Sequence, residues 1–214
     1  MQWIAMITML IDHIGAVFFP TEIVLRMIGR LSFPLYVYLM VIGYHRTRSY
    51  SKYVFRIGLL AIISQLPYQL AFDTLRFNVI ATLLVCLLTL KILDITKLPI
   101  AIRVLLTIAV TALLEIISFD YGAYALVLML IYRYLSSTVM ITVQFIAEII
   151  FMIYNSWVFQ FISMIITYFI AFKPTTLQKL SQWRAPSWLW RSFYPLHLTL
   201  IAIINYSFHL LDKY

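Results

Sequence analysis

A series of apolar runs, separated by short gaps, most constrains what this chain can fold into. We predict nine such segments, with bounds 3–19, 28–45, 53–72, 77–93, 98–117, 121–135, 137–153, 157–172 and 192–210. Each approaches the roughly 20 residues that a helix needs to cross a bilayer. Because backbone groups in lipid must be satisfied internally, a helix is the expected spanning structure. The pattern predicts an all-α, polytopic integral membrane helical bundle of about nine transmembrane helices.

Composition agrees with this prediction. The chain is 64% hydrophobic and 11% charged, whereas a soluble domain is roughly half apolar and about a quarter charged. So much apolar surface cannot be hidden in one core, so the lipid bilayer is the expected partner. The short gaps leave no room for a soluble domain, and we predict one membrane domain over 1–214. The first segment lacks the features of a cleaved signal peptide and is expected to be a retained span.

The gap at residues 173–191 (KPTTLQKLSQWRAPSWLWR) is longer than the others. It contains three tryptophans with lysine and arginine between them. Tryptophan is enriched where membrane meets water. We therefore predict an amphipathic linker that lies in the interface.

The net charge is +8, and the basic residues are distributed unequally between alternate gaps. Lysine and arginine favour the cytoplasmic side. If the N-terminus is cytoplasmic, four lie outside, namely Arg26, Arg30, Arg76 and Lys213. Twelve then lie inside, namely Arg46, Arg48, Lys52, Arg56, Lys91, Lys97, Arg103, Arg133, Lys173, Lys179, Arg184 and Arg191. We predict a multi-pass protein of a bacterial plasma membrane with a cytoplasmic N-terminus and no nucleic-acid partner.

Two ionisable residues, Asp12 and His13, lie side by side inside the first apolar segment. An acid at mid-membrane costs roughly 2.5–3.5 kcal/mol on insertion scales, so such residues usually have a function. His13 can act as a general base near neutral pH. Helical neighbours point about 100° apart, so we expect the two side chains to face different partners. Asp12 could orient the His13 ring, or it could pair with Arg30 and simply lock two helices together.

Other polar residues gather mainly toward the predicted outer side. Arg26 and Arg30 are four residues apart and could clamp an anion or stabilise an oxyanion, or they could balance acidic groups. The candidate pocket residues are Arg26, Asn78, Asp120, Tyr124 and His197. Asn78 and Asp120 also suit helix caps, and His197 also suits a helix–helix hydrogen bond.

A basic cluster made of His45, Arg46, Arg48 and Lys52 follows the second segment. It could hold the phosphates of a nucleotide-like cofactor, but its spacing alone favours a positive-inside anchor. Cys86 is the one cysteine, which excludes a disulfide within the chain and a thiolate metal site. No metal is expected.

Six sequence blocks resemble the TraX family of membrane proteins. They come in the expected order, namely IAMITMLIDHIGA at 4–16, IGRLSFP at 28–34, GYHRTR at 43–48, NVIATLL at 78–84, DYGAY at 120–124 and FYPLH at 193–197. The resemblance implies a transmembrane acetyltransferase that uses acetyl-CoA, because the family's named member acetylates the N-terminus of a pilin subunit.

Carried onto this sequence, the resemblance implies that Asp12 and His13 form the catalytic pair. Arg30 would contact the transition state or CoA, and Asn78, Asp120 and His197 would line the pocket. The basic cluster would bind the CoA phosphates at the cytoplasmic mouth.

The expected reaction moves an acetyl group from cytoplasmic acetyl-CoA to an acceptor at the outer side. The favoured acceptor is the N-terminal amine of a membrane-associated peptide, pilin or lipoprotein. Three alternatives stay open: O-acetylation of a glycan or lipid-linked sugar, a non-catalytic assembly factor, and a small proton-coupled transporter. The transporter would use Asp12, His13, Glu148 and His197 as a relay.

Overall fold

Helices account for nearly all of the regular structure in the computed structural model, which describes residues 1–95 and 97–211. The α-helices are α1 (Gln2–Phe18), α2 (Ile23–Gly29), α3 (Ser32–Arg46), α4 (Tyr50–Phe72), α5 (Val79–Leu93), α6 (Ile100–Ile116), α7 (Gly122–Tyr134), α8 (Ser137–Asn155), α9 (Met164–Phe172), α10 (Pro174–Gln182) and α11 (Ser187–Leu211). A 3₁₀ helix, Val158–Ser163, precedes α9. Lys213, which was counted on the outer side, lies outside the described residues.

The prediction of an all-α fold is confirmed for the described residues, but the number of spans is not. Three helical stretches in residues 1–95 and 97–211 are long and apolar enough to cross a membrane: Ile23–Arg46, Tyr50–Phe72 and Ser137–Asn155. A fourth is possible if Val158–Phe172 and Pro174–Gln182, which are bent by 97°, count as one span. The apolar helices α1, α5 and α7 have 17, 15 and 13 residues. At about 1.5 Å per residue they are shorter than the hydrocarbon core.

Helix α7 lies at the centre of the bundle. Nine of its 13 residues are buried, and it packs against α3, α5, α6 and α8. The small residues Ala123 and Ala125 allow close approach of its neighbours. By contrast, Leu114 is the buried residue of α6, so α6 lies at the periphery.

Large apolar side chains on the outside of the bundle fit a lipid environment. On α4, Phe55, Ile62 and Leu66 are 69%, 74% and 63% exposed, while the opposite face packs on α5 and α11. A protein in water does not usually expose such a continuous apolar face. These helices and their lipid-facing surface describe a membrane protein.

The connections at one end of the bundle, 73–78 and 117–121, are joined to each other. The backbone N–H of Asp120 donates to the carbonyl of Phe77 at 2.9 Å, and the hydroxyl of Thr82 donates to the carbonyl of Asp120 at 2.7 Å. The rings of Phe77 and Phe119 stack with centroids 4.8 Å apart. These bonds fix the start of α5 beside the start of α7.

At the opposite end, Asp94 joins the ends of α3, α5 and α7. Its carboxylate accepts from the hydroxyls of Tyr44 at 2.8 Å and Tyr134 at 2.7 Å. The same carboxylate pairs with Arg133 at 3.0 Å. Burial raises the pKa of Asp94, but these three donors outweigh it and lower its pKa overall.

The segment predicted as an interfacial linker contains α10 and the first turn of α11. Helix α10 begins with Pro174, a residue favoured in a first helical turn, and buries only Leu177. Trp183 and Trp188 are 78% and 68% exposed, whereas the Trp190 ring stacks on Tyr36 at 5.1 Å. The placement of this linker in a membrane interface stays a prediction.

Candidate functional site

A cavity of about 750 Å³ lies between α1, α3, α4, α5 and α11. Along α3 both Ser32 and Gly43 line it. Gly43 lies eleven helical steps after Ser32, so the cavity is roughly 16 Å long in that direction. A cavity of this size and length accommodates an extended ligand.

The two ends of the cavity differ in chemistry. The lining at one end includes the charged residues Asp12, Arg26, Arg30, Arg76 and Asp120. The lining toward the other end is apolar and aromatic, and includes Leu39, Met40, Tyr53, Ile57 and Leu60. Apart from the residues next to the cavity, the charged groups that line it therefore lie at one end.

The basic cluster adjoins the apolar end. His45, Arg46, Arg48 and Lys52 are all exposed, and none of them lines the cavity. They fall in the chain between Gly43 and Tyr53, which do line it. These exposed basic residues therefore lie next in the chain to the apolar end of the cavity but do not line it.

Asp12 lies at the charged end, where it binds two arginines through one oxygen. Its side chain is 8% exposed, and its Oδ1 lies 2.9 Å from Nη1 of Arg26 and 3.3 Å from Nη2 of Arg30. The helix breaks between α2 and α3 just after Gly29, yet both arginines still reach Asp12. This is the arginine pairing that was one of the two roles foreseen for Asp12.

Gly29 makes this ion cluster possible. A Cβ placed there would overlap the side-chain atoms of Asp12. Helix α2 therefore packs directly on α1 at a position where only a hydrogen fits, and this contact places Arg26 and Arg30 on either side of the carboxylate.

His13 faces a different partner from Asp12, as expected for helical neighbours whose side chains point about 100° apart. Its Nδ1 lies 2.8 Å from Nε2 of His197, and Nδ1 of His197 lies 2.6 Å from the carbonyl oxygen of Phe193. A carbonyl only accepts, so for neutral rings Nδ1 of His197 carries the hydrogen and its Nε2 is an acceptor. Nδ1 of His13 must then be the donor, which leaves a lone pair on its Nε2. His13 lines the cavity, so its geometry suits a general base.

The candidate pocket residues Asp120, Asn78 and Tyr124 differ in whether they line the cavity. Asp120 lines the cavity, and burial raises its pKa to about 6 although Arg30 and Arg76 oppose the shift. Asn78 is fully buried, accepts from the N–H groups of Ile80 and Ala81, and caps α5. Tyr124 is fully buried behind the cavity, and its hydroxyl donates to Glu148 at 2.6 Å.

Tyr194 is a lining residue that sequence reasoning did not single out. It is 4% exposed and lines the cavity. It lies in the FYPLH block that drew attention to His197, so the signal was present in the sequence. Gln160 accepts a hydrogen bond from Arg30 at 3.3 Å. It lies in an apolar segment of the sequence, where no pattern indicated a role in the site.

Comparison with known proteins supplies the family. The family model described as TraX protein matches residues 1–205. This chain belongs to the TraX family. The TraX-like blocks of the sequence contribute residues to the lining of the cavity, namely Asp12, His13, Arg30, Asp120 and Tyr194.

A curated relative and the solved structures complete the comparison. The chain is 31% identical over 144 residues to a "Probable fimbrial assembly protein FimC, serogroup H1" from Dichelobacter nodosus. The match covers 60% of this chain and 58% of the relative, so it spans less than two thirds of the relative's length. No solved structure matches this TraX chain.

The described part of the chain has no group of three or more His, Cys, Asp or Glu side chains placed to hold a metal ion. The absence of a metal from the function stays a prediction. The residues that line the cavity include the imidazole of His13 and the guanidinium groups of Arg26 and Arg30.

Proposed function

We propose that this TraX protein is a multi-pass plasma-membrane acetyltransferase. It would move an acetyl group from cytoplasmic acetyl-CoA to an acceptor amine at the outer side of the membrane. The favoured acceptor is the N-terminal amine of a membrane-associated peptide, pilin or lipoprotein. The observation that carries the proposal is one cavity that His13 and Arg30 line at its charged end. Its other end is lined by Gly43 and Tyr53, which flank the basic cluster in the chain.

The shape of the cavity supports acetyl-CoA as the donor. Its phosphates would bind the basic cluster at the cytoplasmic mouth, where Arg48 and Lys52 are exposed. The neutral pantetheine arm would then extend along the apolar half, past Tyr53 and Ile57. This arrangement would bring the thioester to the charged half without placing a phosphate in the membrane.

The catalytic step follows from the histidine geometry. The acceptor amine attacks the thioester carbonyl while Nε2 of His13 removes its proton. Nδ1–H of His13 donates to His197, which holds the ring and favours the imidazolium that forms. Arg30 stabilises the oxyanion of the tetrahedral intermediate. Collapse of this intermediate breaks the C–S bond, and the departing CoA thiolate takes the proton from His13.

The acceptor assignment rests on the relative and on the open end. A relative that is described as a fimbrial assembly protein supports a pilin-like peptide as the acceptor. The charged end lies beside the 73–78 connection, where Asp73 and Arg76 line the cavity and are exposed. An acceptor would enter there from the outer side.

Binding of acetyl-CoA to the purified protein in detergent tests the donor, with free CoA and ATP alongside. We expect Arg48→Ala to weaken acetyl-CoA binding and Arg184→Ala, an exposed basic residue of the linker, to leave it unchanged. His13→Ala should bind acetyl-CoA but fail to transfer its acetyl group to a peptide with a free N-terminal amine. An N-terminally blocked peptide and a sugar acceptor serve as controls. The proposal fails if the wild-type protein with the peptide present binds no acetyl-CoA.

A further inference from the structure

A second polar network lies behind the cavity, and the proposed mechanism does not use it. It joins α7, α8, the 3₁₀ helix and α9, and Glu148 lies at its centre with no exposed surface. Its members, all buried, are Tyr124, Tyr132, Gln144, Glu148, Gln160, Ser163 and Thr167. So many buried polar groups in a membrane protein are costly, and they indicate a function.

Glu148 fixes the direction of the hydrogen bonds around it. Its Oε1 accepts from the hydroxyl of Tyr124 at 2.6 Å, from that of Ser163 at 2.7 Å and from the amide nitrogen of Gln144 at 3.1 Å. The short distance from Tyr124 marks a strong bond. The single hydroxyl hydrogen of Tyr124 is therefore committed to Glu148.

Tyr124 in turn orients the amide of Gln160. Because its hydrogen points to Glu148, the Tyr124 oxygen can only accept, and it accepts from Nε2 of Gln160 at 3.3 Å. The amide oxygen of Gln160 then faces the other way and accepts from Nη1 of Arg30 at 3.3 Å. Every donor in this series points from Arg30 toward Glu148.

Arg30 makes several side-chain contacts besides the one with Gln160, and all of them have a similar length of 3.3–3.4 Å. Its Nη2 lies 3.3 Å from the Asp12 oxygen that Arg26 holds more closely, at 2.9 Å. Its remaining side-chain bonds, to the hydroxyl of Tyr121 and the carbonyl of Arg26, are both 3.4 Å long. None of these contacts alone determines where the guanidinium group lies.

We infer that Glu148 positions Arg30 through Tyr124 and Gln160. Glu148 and Gln160 are positioning residues, because neither lines the cavity and both act through Arg30. The role of Arg30 in transfer rests on the proposed function, but its placement by this series of bonds does not.

Two tyrosines of the same network give a matched pair of variants. Tyr124→Phe removes the hydroxyl that links Glu148 to Gln160. Tyr132→Phe removes an equally buried hydroxyl that bonds to Thr167 at 2.6 Å, on the side away from Arg30. Each variant deletes one oxygen from the network. If the network only stabilised the fold, the two variants would have similar effects on Arg30. Glu148→Gln and Gln160→Leu interrupt the series at its other two points.

The first readout is the Nε–H signal of Arg30 in protein labelled with ¹⁵N-arginine, assigned by its loss in Arg30→Lys. We expect Tyr124→Phe, Glu148→Gln and Gln160→Leu to move this signal and Tyr132→Phe to leave it in place. The second readout is acetyl transfer. The first three variants should lower kcat by roughly tenfold, less than the ~100-fold cost of losing an oxyanion donor itself, with acetyl-CoA binding unchanged.

An Arg30 signal that does not move in Tyr124→Phe, or that moves equally in Tyr132→Phe, would overturn the inference. If the wild-type protein transfers no acetyl group, the proposed function fails, and the Arg30 signal alone then decides whether Glu148 positions the guanidinium.

Discussion

At the scale of single residues, the site depends on which partner each polar side chain of α1 contacts. Asp12 and His13 are adjacent in sequence but belong to separate clusters, one with two arginines and one with His197. Sequence reasoning predicted that they would diverge, because the helical repeat alone determines this. It could not predict that Arg26 and Arg30 share one carboxylate oxygen. That arrangement depends on how α2 packs against α1.

Two glycines provide a test of this packing. Gly29→Ala should destabilise the protein by roughly 1–3 kcal/mol, the usual cost of overpacking, because the new methyl group overlaps Asp12. At Gly58 in α4 an added Cβ would meet only Leu84, at an ordinary 3.7 Å. Gly58→Ala should therefore be neutral or stabilising by up to about 1 kcal/mol. Thermal unfolding in detergent measures both, and equal effects of the two variants would contradict the packing described for Asp12.

At the scale of the helices, the sequence predicted where helices lie in the chain better than where a helix is interrupted. The apolar segments 3–19, 53–72 and 137–153 match α1, α4 and α8 closely, because long apolar runs bounded by polar gaps leave little choice. The segment predicted at 28–45 instead begins inside α2 and continues into α3 through a break at Arg30 and Leu31. The sequence carries a sign of this break, because Gly29 directly precedes it and Pro34 follows it, and both residues disfavour a helix interior.

The ends of α3, α5 and α7 meet at Asp94, which gives a pH-dependent prediction. The pKa of Asp94 is lowered in the folded protein, so its ionised form stabilises the fold. That stabilisation is complete when the pH lies above the pKa of an unfolded aspartate, near 3.9. It is lost as the pH falls through the lowered pKa that Asp94 has in the folded protein. Asp94→Asn should therefore lower the unfolding temperature by the same amount at pH 7 and pH 5, and by less below about pH 4.

Asp73→Asn is the matched control, because Asp73 is an exposed aspartate at the end of α4. Its effect on unfolding should be small at every pH. A loss in Asp94→Asn that stayed constant down to pH 3 would show that charge on Asp94 does not hold the three helix ends together.

At the scale of the whole molecule, the distribution of basic residues predicts which end faces the cytoplasm. Cys86 is fully buried, so it leaves little background for cysteine labelling. Leu75→Cys, at a position 92% exposed beside the charged end, should react with a membrane-impermeant maleimide in intact cells. Lys179→Cys, on α10, should react only after the cells are permeabilised. The reverse pattern would invert the orientation and contradict the proposal that acetyl-CoA reaches the basic cluster from the cytoplasm.

The bond between His13 and His197 joins residues 184 positions apart, on the first and last described helices. Domains form N-terminal parts first during synthesis, and closing so long a loop is slow. While α11 is still being made, His13 has no partner to fix its tautomer, and the cavity lacks the wall that carries Tyr194. The histidine pair and the wall of the cavity are therefore complete only once α11 has packed against α1 and α4.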